Sequence, residues 1–344
     1  MKPIIILLLF ICFIKCSFGQ SKKELLFQNK TLNHENITAV DAETTGGSIS
    51  VFGVQENDAH IEIYLQTSNY RNISKEEILK RFNSDYTLTV STINHKLTAI
   101  ARKKESLFNL GLGLSISFKI YVPKASSTNL ITSGGNITIN DMSNGTLEFV
   151  TSGGNLVLNN LHAKVRGKTS GGNIYLKGSS QNIEVITSGG NIEAENDNGD
   201  INLSTSGGNV NLRNLSGSIN ASTSGGSVNA DHIEGSLVTT TSGGNLKLIN
   251  LMCTLDGSTS GGNIDVTISK TGKYIKLHNS GGDTNLEVPN GMGFNIKMHG
   301  NKVNMNPLSI FKGESDEHNM NGTINGGGVL ISMNGGDHVT LNIK

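Results

Sequence analysis

Residues 151–161 read Thr-Ser-Gly-Gly-Asn-Leu-Val-Leu-Asn-Asn-Leu, and the first half of this stretch recurs along the chain. The motif Thr-Ser-Gly-Gly-Asn, with Ser in place of Asn in one copy, begins at Thr132, Thr151, Thr169, Thr187, Thr205, Thr223, Thr241 and Thr259. Successive copies start 19 residues apart once and 18 residues apart thereafter, and a degenerate copy covers residues 279–283. Such a short period is typical of a solenoid, in which each repeat is one coil that buries its apolar face against the next.

Apolar and polar residues alternate after each motif, which is the period of a β-strand. Three positions are apolar in nearly every repeat: five and seven residues after the motif threonine and four residues before it, as in Ile192, Ala194 and Ile201. Removing two turns of about four residues from each coil leaves two strands of about five. The sequence therefore predicts an all-β fold, a parallel β-solenoid or β-helix of roughly 18-residue coils, with a small mixed N-terminal cap.

The turn residues suggest how each coil reverses direction. We expect the two glycines of the motif to adopt positive φ angles and the serine to hydrogen-bond back to the turn. The asparagines that end the motif fall in register, so we expect a hydrogen-bonded ladder along the rod. The opposite turn is predicted to need small residues, because one column there contains Ala163, Gly199, Gly217, Gly235 and Cys253.

The chain is predicted to have four parts. They are a signal peptide over 1–19, an N-terminal capping region with strands and one short helix over 20–130, β-solenoid repeats over 131–283, and C-terminal β coils and a cap over 284–344. In the capping region, Ser74 followed by Glu77 forms a capping box that predicts a helix through Phe82. Residues 44–51 resemble the motif and predict one early coil, whereas residues 301–321 are polar and predict an irregular insertion.

The first residues indicate export. Lys2 precedes an apolar run over 4–14, and a small residue at Gly19 predicts cleavage there. An alternative is a lipoprotein anchored at Cys16, although Lys15 stands where a small residue is normally required. We expect an exported protein at the cell surface, secreted or periplasmic, with no transmembrane segment after signal removal.

Charge and composition argue against several classes of function. The 28 basic residues balance the 28 acidic ones, so no nucleic-acid partner is expected. The glycines are not followed by the Lys-Ser or Lys-Thr of a phosphate-binding loop, and they lack the Asp of the calcium-binding nonapeptide. No catalytic, cofactor-binding or metal-binding residue, and no cofactor, is therefore predicted.

Three features have a structural and a functional interpretation. The acidic group Glu193, Glu195, Asp197 and Asp200 is interpreted as a solvated turn, with an acid/base or calcium site as the alternative. A rank of hydroxyls at Ser204, Ser222, Thr240 and Ser258 is interpreted as an ordinary exposed strand, with an ice- or glycan-binding edge as the alternative. Cys253 is interpreted as a small turn residue instead of a reactive thiol.

A strand that ends in Ile120-Tyr121-Val122-Pro123-Lys124 leads directly into the motif array. With the signal peptide, this arrangement resembles the bacterial "putative adhesin" family of β-solenoid domains of unknown function, and the Gly-Gly-Asn style is similar to auto-transporter adhesin head domains. The resemblance implies a secreted or envelope-exposed β-solenoid and provides no catalytic motif.

The leading hypothesis is an exported, non-enzymatic β-solenoid that acts as an adhesin or a structural and binding module of the cell surface. Its candidate partners are a glycan or a cell-surface protein. The alternatives are a carbohydrate-active β-helix enzyme, which would use Glu193 and Asp197, and a periplasmic envelope scaffold.

Overall fold

A computed structural model describes residues 24–67, 73–104 and 113–344, and the predicted signal peptide and Cys16 lie outside these ranges. The N-terminal strands are β1 Leu25–Thr31, β2 Ala39–Thr44, β3 Ile49–Val54, β4 His60–Thr67, β5 Tyr86–Ile93, β6 Lys96–Lys103 and β7 Leu114–Pro123, and the helix α1 is Lys75–Asp85. The middle strands are β8 Ser127–Thr132, β9 Ile137–Asn140, β10 Ser143–Thr151, β11 Leu156–Asn159, β12 His162–Lys168, β13 Ile174–Lys177, β14 Ser180–Thr187, β15 Ile192–Glu195, β16 Asn198–Thr205, β17 Val210–Ser222, β18 Val228–Thr240, β19 Leu246–Thr259, β20 Ile264–Ile268, β21 Tyr274–Asn279 and β22 Thr284–Val288. The last strands are β23 Phe294–His299, β24 Lys302–Asn306, β25 Phe311–Ser315, β26 Asn319–Ile324, β27 Val329–Asn334 and β28 His338–Ile343.

Each coil has a long strand before the motif turn and a short strand after it. The long strands β10, β12, β14 and β16 have seven to nine residues, whereas the short strands β9, β11, β13 and β15 have four. Within the repeat array, each strand pairs in parallel with its equivalent one repeat away, as Ile192 does with Ile174 and Val210. The parallel β-solenoid is thus confirmed, although its two strands are unequal in length. In β17, β18 and β19 the strand continues around the second turn of the coil.

The interior contains the three predicted apolar columns. Their members are at most 4% exposed, from Ile137 in the first coil to Val266 near the last. A fourth buried column, two residues before the motif threonine, was not predicted, because it mixes large and small side chains. Gly167 is small in this column because a Cβ there would lie 2.2 Å from the ring of Phe149.

The N-terminal coils do not stack in chain order. The early motif relative forms a coil from β2 and β3, as predicted, and this coil lies between β8–β9 on one side and β6–β7 on the other. Beyond it, β5 pairs antiparallel with β6, and β4 pairs antiparallel with both β7 and β1. Helix α1 begins after Ser74, whose Oγ accepts the Glu77 N–H at 3.2 Å, and it buries Ile78 and Phe82 against this end of the core. The predicted N-cap at Ser74 is therefore confirmed, whereas the Glu77 carboxylate accepts from Arg81 Nε and the helix continues to Asp85.

The C-terminal coils also stack in an order that differs from their order in the chain. The coil β27–β28 pairs in parallel with β21–β22 on one side and with β23–β24 on the other. The antiparallel strands β26 and β25 then continue beyond β23. The prediction of an irregular insertion over 301–321 is wrong, since most of this segment forms β24, β25 and the start of β26. Its polar side chains suit strands at an edge of the sheet, where they face solvent.

Within the described ranges, no helix is both long and apolar enough to cross a membrane.

Candidate functional site

The motif turn is held by the threonine and not by the serine. In each of the eight motif copies the threonine Oγ1 accepts the N–H of the second motif glycine and donates to a glycine carbonyl of the adjacent coil, as Thr187 does with Gly190 at 3.2 Å and with Gly172 at 2.8 Å. The first eight Gly-Gly pairs do not have positive φ angles, so that prediction is wrong. The second glycine is needed because coils approach closely: a Cβ on Gly190 would lie 2.0 Å from the carbonyl oxygen of Gly172.

The predicted asparagine ladder is present, but its hydrogen bonds join a side chain to the backbone instead of one side-chain amide to another. The Oδ1 atom of each asparagine accepts a hydrogen bond from the backbone N–H of the equivalent residue in the next coil. For example, Asn173 Oδ1 accepts from the Asn191 N–H at 2.8 Å. Ser227 continues the ladder, since its N–H donates to Asn209 and its Oγ accepts from Asn245. Each coil is therefore tied to the next by a side-chain bond as well as by the strands.

The opposite turn provides the left-handed residues. Positive φ angles of 53–63° occur in register at Asp141, Asn160, Gly178, Asn196, Asn214, His232 and Asn250. Asparagine tolerates this conformation better than most residues, which explains why it recurs there. In the nearby column, Gly199 pairs in register with Gly217, Gly235 and then Cys253, but also with Gln181 of the preceding coil, so the prediction that this column needs small residues is wrong at that position.

The outer face of the short strands contains a groove that forms the candidate binding site. This short-strand groove has a volume of about 610 Å³. Its outward side chains come from β11, β13, β15, β17, β18 and β19 and are Asn159, Tyr175, Lys177, Glu193, Glu195, Asn211, Arg213, Asn229, Asp231, Lys247 and Ile249. They form two columns that stand on a backbone fixed by parallel pairing, so the coils set their spacing at about 4.8 Å.

Charges in the groove are partly paired. Lys177 Nζ lies 3.0 Å from Glu195 Oε2. Asp231 accepts from Asn250 Nδ2 at 2.9 Å, and this bond, with the neighbouring His232 and Arg213, holds the pKa of Asp231 below its ordinary value. In the part of the chain that the structure describes, Glu193, Arg213 and Lys247 form no ion pair, so their charged ends are available to a ligand.

Aromatic side chains occur at two places on this outer face. Tyr175 lies in the groove, is 36% exposed, and accepts a hydrogen bond from Asn173 Nδ2 at 3.2 Å. Nearer the N-terminus, the rings of His60, Tyr121 and Phe52 stack with centroids 4.1 and 4.9 Å apart. Phe52 is in register with Asn140 of β9, so this stack continues one of the groove columns.

The acidic group from the sequence does not form one site. Glu193 and Glu195 project into the groove and Asp200 is exposed, but Asp197 is 1% exposed. The interpretation of Asp197 as a residue of a solvated turn is therefore wrong. Its Oδ1 accepts the Ser179 N–H at 2.7 Å inside the coil, so it does not converge with Glu193. The alternation of the strand indicated Glu193 as outward, whereas the turn after Glu195 moves Asp197 inward.

The remaining candidates lie outside the groove. The predicted hydroxyl rank lies on the outer face of the long strands, where Ser222 Oγ donates to Ser204 Oγ at 3.1 Å. Cys253 is buried, and burial raises the pKa of its thiol to about 12, so it is not a reactive thiolate. Among the described residues, no group of three or more His, Cys, Asp or Glu is placed to hold a metal ion.

A rigid β-solenoid with a polar outer groove is the class of protein that this geometry defines. Residues 174–337 match the model of the Toastrack DUF4097 family, a domain of unknown function. This match begins at β13 and ends just before β28. It supports the resemblance to a family of unknown function, whereas the relation to auto-transporter adhesin heads stays a prediction.

Solved structures give three further comparisons. One called a putative adhesin from Bacteroides fragilis has 13% identity, covers 94% of this chain and 98% of its own, and has a TM-score of 0.32. Another, from Parabacteroides merdae, has 15% identity, covers 78% and 95%, and has a TM-score of 0.36. A putative cell adhesion protein from Clostridium sporogenes has 9% identity, covers 94% and 100%, and has a TM-score of 0.21. No curated protein matches the chain.

Proposed function

We propose that this protein is an exported, non-enzymatic β-solenoid that acts as a binding module of the cell surface through the short-strand groove. The observation that carries the proposal is the register of outward, mostly polar side chains over six neighbouring short-strand segments, from Asn159 on β11 to Ile249 on β19. A ligand that contacts several coils at once would gain many weak interactions from one continuous surface.

The rigidity of the scaffold favours binding. Strand pairing, the asparagine ladder and the threonine bonds fix the backbone beneath the groove, so few backbone degrees of freedom need to be lost when a ligand binds. The charged ends of Glu193, Arg213 and Lys247 have no ion-pair partner among the described residues, so no existing pair has to be broken before they contact a ligand.

The placement of the carboxylates favours binding over catalysis. An acid/base pair for glycoside hydrolysis needs two carboxyl groups that flank one scissile bond. Glu193 projects outward while Asp197 is buried within the coil, and Glu195 is paired with Lys177. A non-enzymatic role agrees with this arrangement. Polysaccharide turnover that is lost in Glu193→Gln would overturn it.

Protease treatment of intact cells, with lysed cells as the control, tests the location. We expect the protein to be digested or released from intact cells, because an adhesive module must face the exterior. Protection in intact cells combined with digestion after lysis would place it in the periplasm and favour the scaffold alternative.

A pair of asparagines on β17 tests the binding face. Asn211 projects into the groove, and Asn220 projects from the opposite outer face of the same strand. Beads coated with purified protein are applied to an array of oligosaccharides and to collagen, fibronectin and laminin. We expect binding to at least one of these, loss of binding in Asn211→Arg, and unchanged binding in Asn220→Arg. Equal binding by the two variants would refute the assignment of the groove.

A further inference from the structure

We propose that the ligand of the short-strand groove is a neutral oligosaccharide, one of whose rings stacks on Tyr175. The inference rests on the proposed function, because it names the class of ligand for the same groove. It is carried by the charge balance of the groove, by the orientation of its amides and by the position of a single tyrosine.

The groove has equal numbers of opposite charges. Lys177, Arg213 and Lys247 are matched by Glu193, Glu195 and Asp231. A nucleic acid or an acidic polysaccharide would need an excess of basic groups, and a basic peptide would need an excess of acidic ones. A neutral ligand leaves no charge of its own buried without a partner.

The amides present both donors and acceptors to a ligand. Asn229 Nδ2 donates to Asn211 Oδ1 at 2.9 Å, which fixes the orientation of both side chains. Within the described ranges, Asn211 Nδ2 and Asn229 Oδ1 form no hydrogen bond. Asn211 therefore offers N–H donors to a ligand, and Asn229 on the next strand offers an acceptor. A sugar hydroxyl can donate and accept at the same time. A ligand with many hydroxyls therefore suits this alternation better than an acceptor-rich anion does.

Tyr175 provides a flat surface among these polar groups. Its hydroxyl is held by Asn173, and its neighbours on the adjacent strands are Val157 and Glu193. The C–H face of a sugar ring can pack on the phenol ring while the outer hydroxyls reach Glu193. A protein partner would instead require a larger apolar centre, whereas Tyr175 and Ile249 are the groove's large apolar side chains that project outward.

Titration calorimetry of the full chain tests the inference. The probes are gluco-, manno-, galacto- and xylo-oligosaccharides, the same sugars with a uronic or sialic acid, and the three matrix proteins. We expect a neutral sugar to bind, with an affinity that changes less than about twofold between about 0.05 and about 0.5 M NaCl. Tyr175→Ala should weaken binding by about tenfold, whereas Tyr175→Phe, which keeps the ring, should stay within about threefold of the wild type.

Tyr274→Ala is the matched control, because Tyr274 projects from the outer face of a long strand. This variant should bind as the wild type does, and circular dichroism should show all three variants folded. Binding to acidic sugars alone, or to matrix proteins alone, with loss in Asn211→Arg would overturn the neutral-sugar inference and leave the proposed function intact. Neutral-sugar binding that is insensitive to Tyr175→Ala would also overturn the inference. A wild-type protein that binds no probe would overturn both proposals.

Discussion

Replacing Asp197 by Asn removes an ionisable group from the interior of the solenoid, and we expect this to change how stability depends on pH. Asp197 occupies a turn column in which the next coils have Leu215 and Ile233, and it is 1% exposed. Its Oδ1 accepts the Ser179 N–H, but its Oδ2 has no hydrogen-bond partner. An ionised carboxylate in this position loses its hydration, and few protein hydrogen bonds replace that hydration.

Burial raises the pKa of Asp197 from 3.8 to about 7, although the neighbouring backbone groups of Ser179 and Glu195 act to lower it. Since the pKa is higher in the folded state, the folded protein binds more protons than the unfolded one between pH 3.8 and about 7. The free energy of unfolding therefore falls as the pH rises through this window. At about 1.4 kcal/mol per pH unit, the loss is ~4 kcal/mol, and it is complete above about pH 7.

Urea unfolding followed by circular dichroism, at about pH 4 and about pH 8, measures this effect. The buried amide of Asp197→Asn changes the free energy of unfolding by an amount that does not depend on pH. This amount cancels when the difference in free energy of unfolding between the variant and the wild type is compared at the two pH values. We expect the variant to gain ~4 kcal/mol relative to the wild type on going from the lower to the higher pH. Asp200→Asn, at an exposed position three residues later, should show no such gain.

A gain below about 1 kcal/mol would refute the reasoning, because Asp197 would then titrate as an ordinary solvated carboxylate.

Three other changes test the packing of the coils, each by its effect on the melting temperature. Gly190→Ala should lower the melting temperature strongly, because the new Cβ would lie 2.0 Å from a carbonyl oxygen. Gly189→Ala should be tolerated, because the nearest atom to its Cβ would be 3.6 Å away. Equal effects of the two changes would contradict the close approach of the coils. Ile201→Asp should unfold the stack because it buries an unpaired charge at a position 2% exposed, and an unchanged melting temperature would contradict the core assignment. Gly167→Ala should destabilise through a 2.2 Å contact with the ring of Phe149, and Phe149→Leu in the same chain should restore part of the loss; an absence of rescue would show that the ring is not the obstacle.

The regular part of the fold could be predicted because coil stacking imposes a repeat on the sequence. Each coil repeats the same contacts, so core positions such as Ile201 recur every 18 residues and are visible without a structure. Backbone angles were less accessible. The motif glycines suggested positive φ, but close approach of neighbouring carbonyls explains them equally well, and the left-handed residues are mainly the asparagines of the other turn.

The groove could be predicted only in part. Alternation along the strand places Tyr175 and Glu193 outside, because each is flanked by residues of the apolar columns. The volume that these outward side chains enclose depends on how successive coils pack, which the repeat does not encode. The buried state of Asp197 was also hidden, because an acidic residue among Glu193, Glu195 and Asp200 is normally solvated.

At both ends of the solenoid the coils stack out of chain order, and this determines where whole coils can be added or removed. The coil β2–β3 bonds to later coils on both of its sides, and β27–β28 fills a gap between two earlier ones. Removing either coil would leave two unpaired strand edges within the stack instead of a shorter rod. We therefore expect lengthening or shortening by whole repeats to be tolerated in the interior, between β9 and β20, where successive coils follow chain order. Duplication or loss of repeats during evolution should accordingly be confined to this interior, with both ends retained as fixed closures.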